Sequence, residues 1–312
     1  MKKMWSTTAL AASAVLAVSL AGCSSPGAEG GSSSEGGSDS GIETVESGKL
    51  IVTFGPYMHF TAEEDGKAVG MDGDIVNEVA KRLGLDVELR VTDFAGMLSG
   101  VQTGRADVAI GTINWNEERS KSASYADDNY YNPPAVGGPE GVTYETVADL
   151  EGKRICTVTG YAYADAIPEI EGAEGALFQR MEDVVEEFAA GRCDATFLDP
   201  MVVSYTAKQR PDLGLKVNFL EAPTAEEIAA KPGLVALAPA ITAFYASNDS
   251  VAGAITEQVR AMYADGTMDE IITEYGGDPD KYLEVSPEVS ERRIGVDREK
   301  GWLPPSEVRN TK

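Results

Sequence analysis

The segment TINWNEERSKSASYADDNYYNPPAV, residues 112–136, sets a single arginine, Arg119, in a strongly acidic chain. Its pattern reads as a strand end, a tight turn, a short helix and an aromatic-rich strand. A guanidinium offers planar paired donors that match a carboxylate, whether on a ligand or on another side chain. Taken alone, the pattern favours the second use, with Arg119 paired to Glu117 or Glu118 on a helix surface. His59 is the only histidine. It could act as a general acid or base, but a lone histidine more often packs in a wall. The chain has no GxxxxGK[ST] phosphate loop and no His/Cys metal cluster. No ATP hydrolysis, metal or cofactor is therefore expected.

The chain starts MKKMWSTTALAASAVLAVSLAGC: two lysines, a short apolar run, then Leu20-Ala21-Gly22-Cys23. These are the marks of an export signal over residues 1–22. The last four residues resemble the lipobox of bacterial lipoproteins, which would place a lipid on Cys23 and the protein on the extracytoplasmic face of the cell membrane. The expectation is a membrane attachment through that anchor only. Residues 23–47 are rich in Gly and Ser, the composition of a flexible tether with a reach of roughly 25–30 Å.

The chain holds 26 basic and 51 acidic residues, a net charge of −25, and loss of the two leader lysines makes it −27. Such a charge argues against nucleic acid and anionic lipid as partners. Beyond Cys23 the cysteines are Cys156 and Cys193, an even pair in an oxidising compartment. A disulfide and two separate buried thiols are both open on this count.

From Lys49 onward, strands and helices alternate. KLIVTF, DVELRV, ADVAIG, RICTVT and DATFLD read as strands. Residues 72–84 carry Ile75, Val79 and Leu83 at helical spacing and end at Gly84; further helices end at Gly104 and Gly191. The alternation predicts an α/β fold with mostly parallel sheets. The Pro-Pro and Gly-rich stretch near 132–148 divides two such sets. In open α/β sheets ligands gather at the carboxyl ends of strands, so a cleft between two lobes is the expected site.

Several ordered motifs carry a resemblance. YMHF, GKAVGMDGDIVNEVAKRLG, TDFAGMLSGVQTGRADVAIG and NEERSKSASYADDNYY occur in that order, followed by DLEGKRICTVTGYAYAD, AAGRCDATFLD and a long segment from Ala240 to Gly277. Together they resemble the extracytoplasmic solute-binding proteins of ABC importers, in the polar amino-acid group with the two-lobed type II fold. The resemblance implies a first lobe of residues 48–134 plus 245–281, a second lobe of 135–244, and a C-terminal extension of 282–312. Hinges are expected near Asn132–Gly138 and Ile241–Ser247. A monomer is expected, handing an amino acid or similar polar solute to a membrane permease. An enzyme of the same fold, dehydratase-like, and a sensory lipoprotein are the alternatives.

The resemblance also implies site residues. Arg119 matches the arginine that grips the ligand's α-carboxylate, and Asp199 matches the acid that meets its ammonium. Asp199 also suits a helix N-cap before Pro200. Phe60, Phe94 and Tyr57 would wall the ligand, and Thr159 and Gly160 would offer backbone N–H groups. Some relatives bridge the positions of Cys156 and Cys193. The departures lie at the binding wall. Thr112 and Asn114 replace a glycine and a hydroxyl residue, and Trp115 and Asn116 are unusual. Tyr161 replaces a small residue, His59 a proline, and one residue is inserted before Tyr130. Trp115 and Tyr161 either narrow the pocket or stack on a flat or cationic ligand, and the extension either wraps the first lobe with Trp302 as its anchor or stays mobile.

Overall fold

A computed structural model of the chain describes residues 41–57 and 59–309. The expected leader, Cys23 and the tether up to residue 40 lie outside the described residues.

The first series of elements is β1 (Lys49–Phe54), β2 (Ala62–Glu64), β3 (Lys67–Val69), α1 (Met71–Leu83), β4 (Asp86–Val91) and α2 (Phe94–Gln102). It continues with β5 (Val108–Ala109), α3 (Glu117–Ser120) and β6 (Ser124–Asn132). The second is β7 (Ala135–Pro139), β8 (Arg154–Val158), α4 (Tyr163–Ala166), β9 (Glu174–Phe178), α5 (Met181–Ala189), β10 (Ala195–Phe197), α6 (Pro200–Gln209), β11 (Leu215–Phe219) and α7 (Ala225–Ala230). The chain then returns through β12 (Ala240–Ala246), α8 (Asp249–Asp265), α9 (Thr267–Glu274), α10 (Pro279–Tyr282) and α11 (Pro287–Ser290).

Two five-stranded sheets result, ordered β4-β1-β5-β12-β6 and β11-β7-β10-β8-β9. In each, one strand (β12 or β7) runs against the rest. The apolar run of β1 is buried from Leu50 to Phe54, as a central parallel strand covered on both faces requires. Gly84, Gly104 and Gly191, expected to end helices, all adopt positive φ. The disulfide joins Cys156 on β8 to Cys193 just before β10, with 5.8 Å between Cα atoms.

The two sheets make the two lobes of an α/β fold. The chain passes between them at Pro133–Pro134 and again between β11 and β12. The return strand differs from the sequence expectation: it joins the first sheet from Ala240, ahead of the expected boundary at 245. The expected hinge at Ile241–Ser247 is thus paired strand, and the second crossing lies upstream of Ala240. The apolar residues of β12 decide this, since Ile241, Ala243 and Phe244 are buried in the sheet.

Residues 41–47, expected to belong to the tether, dock on the first lobe. Ile42 packs against its core, and the Val45 N–H donates to Asp107 at 2.7 Å. The C-terminal extension docks there too. Arg293 is fully buried, donating to Asp128, to Asp297 and to the Ala126 carbonyl. Arg298 and the Trp302 indole both reach Asp127, each at 3.0 Å. Of the two alternatives for the extension, the wrapped one holds, with Trp302 as an anchor.

The strand β6 is irregular before Tyr130. Its pairing with β12 slips twice between Tyr125 and Tyr130. Consecutive side chains on a regular strand face opposite ways, and slips of this kind re-aim them. Asp127 and Asp128 are consecutive, yet both are gripped by the extension.

Candidate ligand cleft

A cleft of about 900 Å³ is lined by residues of both sheets' loops. Its first-lobe side is built on a buried carboxylate. Gly70 has φ +94°, and a Cβ there would run into the Phe60 backbone, so only glycine admits the tight entry to α1. That entry places Asp72 to accept the N–H groups of Gly111 and Thr112, at 2.9 and 2.7 Å, and the Tyr130 hydroxyl at 3.0 Å. Burial pushes the Asp72 carboxyl up to about 6 against the pull of these donors. Thr112 is held at φ +50°, an uncommon conformation for a residue with a Cβ, and faces the cleft.

Beyond this turn, Asn116 caps the one-turn helix α3 by accepting the Arg119 N–H at 2.8 Å. The Arg119 guanidinium lines the cleft, donates to the Asn114 carbonyl at 2.9 Å and lies 5.2 Å from the Phe94 ring centre. It does not take Glu117 or Glu118. Lys121 pairs with both, at 3.3 and 3.6 Å. The surface-pairing alternative for Arg119 is therefore filled by a neighbour.

On the second lobe, Asp199 stands two residues beyond the end of β10 and is 5% exposed. One carboxylate oxygen caps α6 by accepting the Met201 N–H at 3.0 Å, and the other accepts from Asn132 Nδ2 at 3.3 Å. The cap and a place in the cleft coexist. Burial, helped by the charge of Asp72, pushes the Asp199 carboxyl up to about 7, against the pull of the Met201 and Val202 N–H groups. An ionised carboxylate so enclosed favours a cationic partner.

Aromatic rings close the sides. The phenols of Tyr57 and Tyr161 meet across the cleft, near Asp199, with Tyr163 close by. Burial raises all three phenol pKa values, so each stays a neutral hydrogen-bonding group.

Of the residues singled out in the sequence, the cleft brings together Tyr57, Phe94, Thr112, Asn114, Arg119, Gly160, Tyr161 and Asp199. Phe60 is not a wall. It is fully buried behind Tyr57, stacked on it at 5.1 Å. Thr159 also falls outside: its N–H is spent on the Phe178 carbonyl at 2.7 Å and its hydroxyl accepts from Gln179. Trp115 turns away from the cleft to the extension, donating to Asp297 at 3.1 Å. His59 packs on Tyr205 of α6 at 4.1 Å, in a separate depression beside Glu182.

Sequence reasoning missed Asp72, which holds the Gly111–Thr112 turn from behind, and the lining residues Asn132, Tyr163 and Val235 to Ala238. The Asp-Gly-Asp of GMDGD and the Asn-Pro-Pro of the hinge were visible signals for the first two. No local pattern marks the last.

Residues 50–278 match the family described as bacterial extracellular solute-binding proteins, family 3. A probable amino-acid ABC transporter-binding protein of Haemophilus influenzae is 27% identical over 231 residues, covering 73% of this chain and 84% of that one. The L-cystine-binding protein TcyJ of Escherichia coli (strain K12) is 25% identical over 242 residues, covering 74% and 84%. In fold, the unliganded L-cystine solute receptor of Neisseria gonorrhoeae is similar, with a TM-score of 0.60 at 20% identity over 76% of this chain and 97% of that one. These relatives are named as binding proteins. No helix among the described residues is long and apolar enough to cross a membrane. With an interlobe cleft carrying an arginine on one side and a buried aspartate on the other, the chain belongs to the bacterial extracellular solute-binding proteins, family 3.

Proposed function

We propose that this protein is the substrate-binding component of an ABC importer, tethered through a lipid on Cys23, capturing an amino acid as a monomer and passing it unchanged to a membrane permease. One observation carries the reading: Arg119 of the first lobe and Asp199 of the second face one cleft. A zwitterion supplies the partner each lacks. Its carboxylate suits the guanidinium fork, and its ammonium relieves the desolvated Asp199. Because the two groups sit on different lobes, the ligand gains both contacts only when the lobes are together. That difference in affinity is what drives hinge closure. The relatives named for amino acids and for L-cystine support this reading. The catalytic alternative gains nothing from His59, which lines another depression.

The test is a thermal-shift screen of the full chain against the common amino acids. Ligand at a thousand times its Kd should stabilise by about 4 kcal/mol. The shift should vanish in Arg119→Ala and in Asp199→Ala, and mass spectrometry should recover the ligand intact. If no amino acid shifts the melting point, or if the ligand is turned over, the reading fails.

A further inference from the structure

We propose that the cleft selects an amino acid with a free primary ammonium and an uncharged, apolar side chain, with Asn132 reading the ammonium beside Asp199 and the Val235–Ala238 segment receiving the side chain. This rests on the amino-acid reading above and sharpens it.

The ammonium half of the argument starts from an unsatisfied atom. Asn132 is the last residue of β6, 8% exposed, and lines the cleft at the first crossing between the lobes. Its amide nitrogen is committed to Asp199 at 3.3 Å, while its Oδ1 is buried without a hydrogen-bond partner. The orientation follows from chemistry, since the reverse would set two acceptor oxygens against each other. A buried acceptor left unmade is costly. Here it points to a missing donor next to a carboxylate. A primary ammonium has three N–H bonds in a tetrahedral spread, enough for Asp199 and Asn132 Oδ1 together. A trimethylated nitrogen keeps the charge and has no N–H to offer either oxygen.

The side-chain half concerns what the walls lack. Among the described residues lining the cleft, Arg119 and Asp199 are the only charged ones, and the amino-acid head group occupies both. The rest of the lining is neutral: Tyr57, Tyr161, Tyr163, Thr112 and Asn114 lie among it, and the apolar part is Phe94, the Pro133–Pro134 crossing and the run Val235 to Ala238. Val235 and Phe94 are 60% and 47% exposed, large apolar side chains left open in a concave site. Covering them is favourable only for an apolar group. A cationic side chain would need another acid. Other acids nearby are committed or displaced: Asp72 is buried and spent on the Gly111 and Thr112 N–H groups and the Tyr130 hydroxyl, Asp93 caps α2 through the Gly96 N–H at 2.7 Å, and Glu182 lies beyond Tyr161 in the His59 depression. An anionic side chain would find no second cation among the lining residues.

Calorimetric titration of the full chain with leucine, phenylalanine, arginine, glutamate and N-trimethylated leucine tests both halves. Leucine or phenylalanine should bind at least about tenfold tighter than arginine and glutamate, since charge burial without a partner is penalised. Trimethylation should weaken leucine by about tenfold or more, the loss expected for hydrogen bonds to charged groups. Asn132→Ala should weaken leucine about tenfold and leave trimethylated leucine unchanged. Arginine or glutamate binding as tightly as leucine would overturn the side-chain assignment and leave the amino-acid reading standing. Equal binding of leucine and its trimethylated form would overturn the ammonium assignment. Failure of every amino acid would bring down both this inference and the reading beneath it.

Discussion

Trp115 donates its indole N–H to Asp297 over 3.1 Å, and the buried Arg293 donates to the same carboxylate at 2.6 Å. The segment leading to Arg119 and the C-terminal extension are thus held by one shared acceptor. Two features singled out in the sequence meet there, Trp115 and the C-terminal extension. The slipped strand turns two adjacent aspartates toward Arg293 and Arg298 of the extension, and Arg260 of α8 pairs with Asp127 as well.

Removing Arg293 should therefore be severe. Arg293 and Asp128 are both fully buried and paired. Breaking such a pair leaves a charge enclosed without a partner and costs about 3–5 kcal/mol. Arg293→Ala should lower the urea midpoint accordingly, while Arg293→Ala combined with Asp128→Ala should recover part of the loss. An unchanged midpoint in the single variant would show that the pair adds nothing.

Arg119→Lys should separate charge from geometry. Lysine keeps the positive charge but loses the paired planar donors. Ligand affinity should fall about ten- to a hundredfold, in line with loss of a charge-assisted hydrogen bond. The melting point without ligand should stay close to wild type, because the side chain is only half-buried and free of a salt bridge with Glu117 or Glu118. Titration calorimetry and a melting curve on the same preparation check both arms.

The buried Asp199 makes binding depend on pH. Its carboxyl is pushed up to about 7 by burial. In the free folded protein it holds its proton to higher pH than in the unfolded chain, so its contribution to stability declines between about 4 and 7 as pH rises. The ligand's ammonium favours the ionised form, so binding below about 7 must expel a proton. Kd should then rise by up to about tenfold for each pH unit lost below that point. Asp199→Asn, which can still cap α6, should flatten the profile and weaken binding without loss of fold. A wild-type Kd constant from pH 5 to pH 8 would contradict this.

The disulfide is expected to hold the second lobe. It closes a loop of sequence separation 37 between β8 and β10. In the chain-entropy description such a loop stabilises by about 4 kcal/mol. Cys156→Ala with Cys193→Ala should lower the melting point with ligand contacts intact, because neither cysteine lines the cleft. A melting point equal to wild type would show that native strain offsets the entropy gain.

Much of this was legible in the sequence, and the exceptions share a cause. Alternating strands and helices, the glycines that stop helices and the order of motifs fix the path of the backbone, and Arg119 and Asp199 came to one cleft through that path. A motif does not fix the rotation of a side chain in an irregular loop. Phe60 and Tyr57 lie in one tight turn, yet only Tyr57 reaches the cleft and Phe60 is its backing. Thr159 shows the same limit for a backbone group, since the carbonyl of Phe178 reaches its N–H first. Trp115 looked like a wall because its competing partner, Asp297, is remote in sequence. Asn132 carries no local signal beyond its place before two prolines, and its role depends on a carboxylate from the other lobe.

The strand β6 carries the extension at one end and Asn132 at the other, and this bears on how the molecule can be handled. A fragment stopped at residue 281, near the end of the family match, would lose Arg293, Arg298 and Trp302 from Asp127 and Asp128. A label placed at Val308 would instead ride on the first lobe, since its neighbour Arg309 is itself held by Asp269, Asp280 and Glu284. Paired with a second dye on α5, it would give an optical reporter of solute in which the handle is native to the chain.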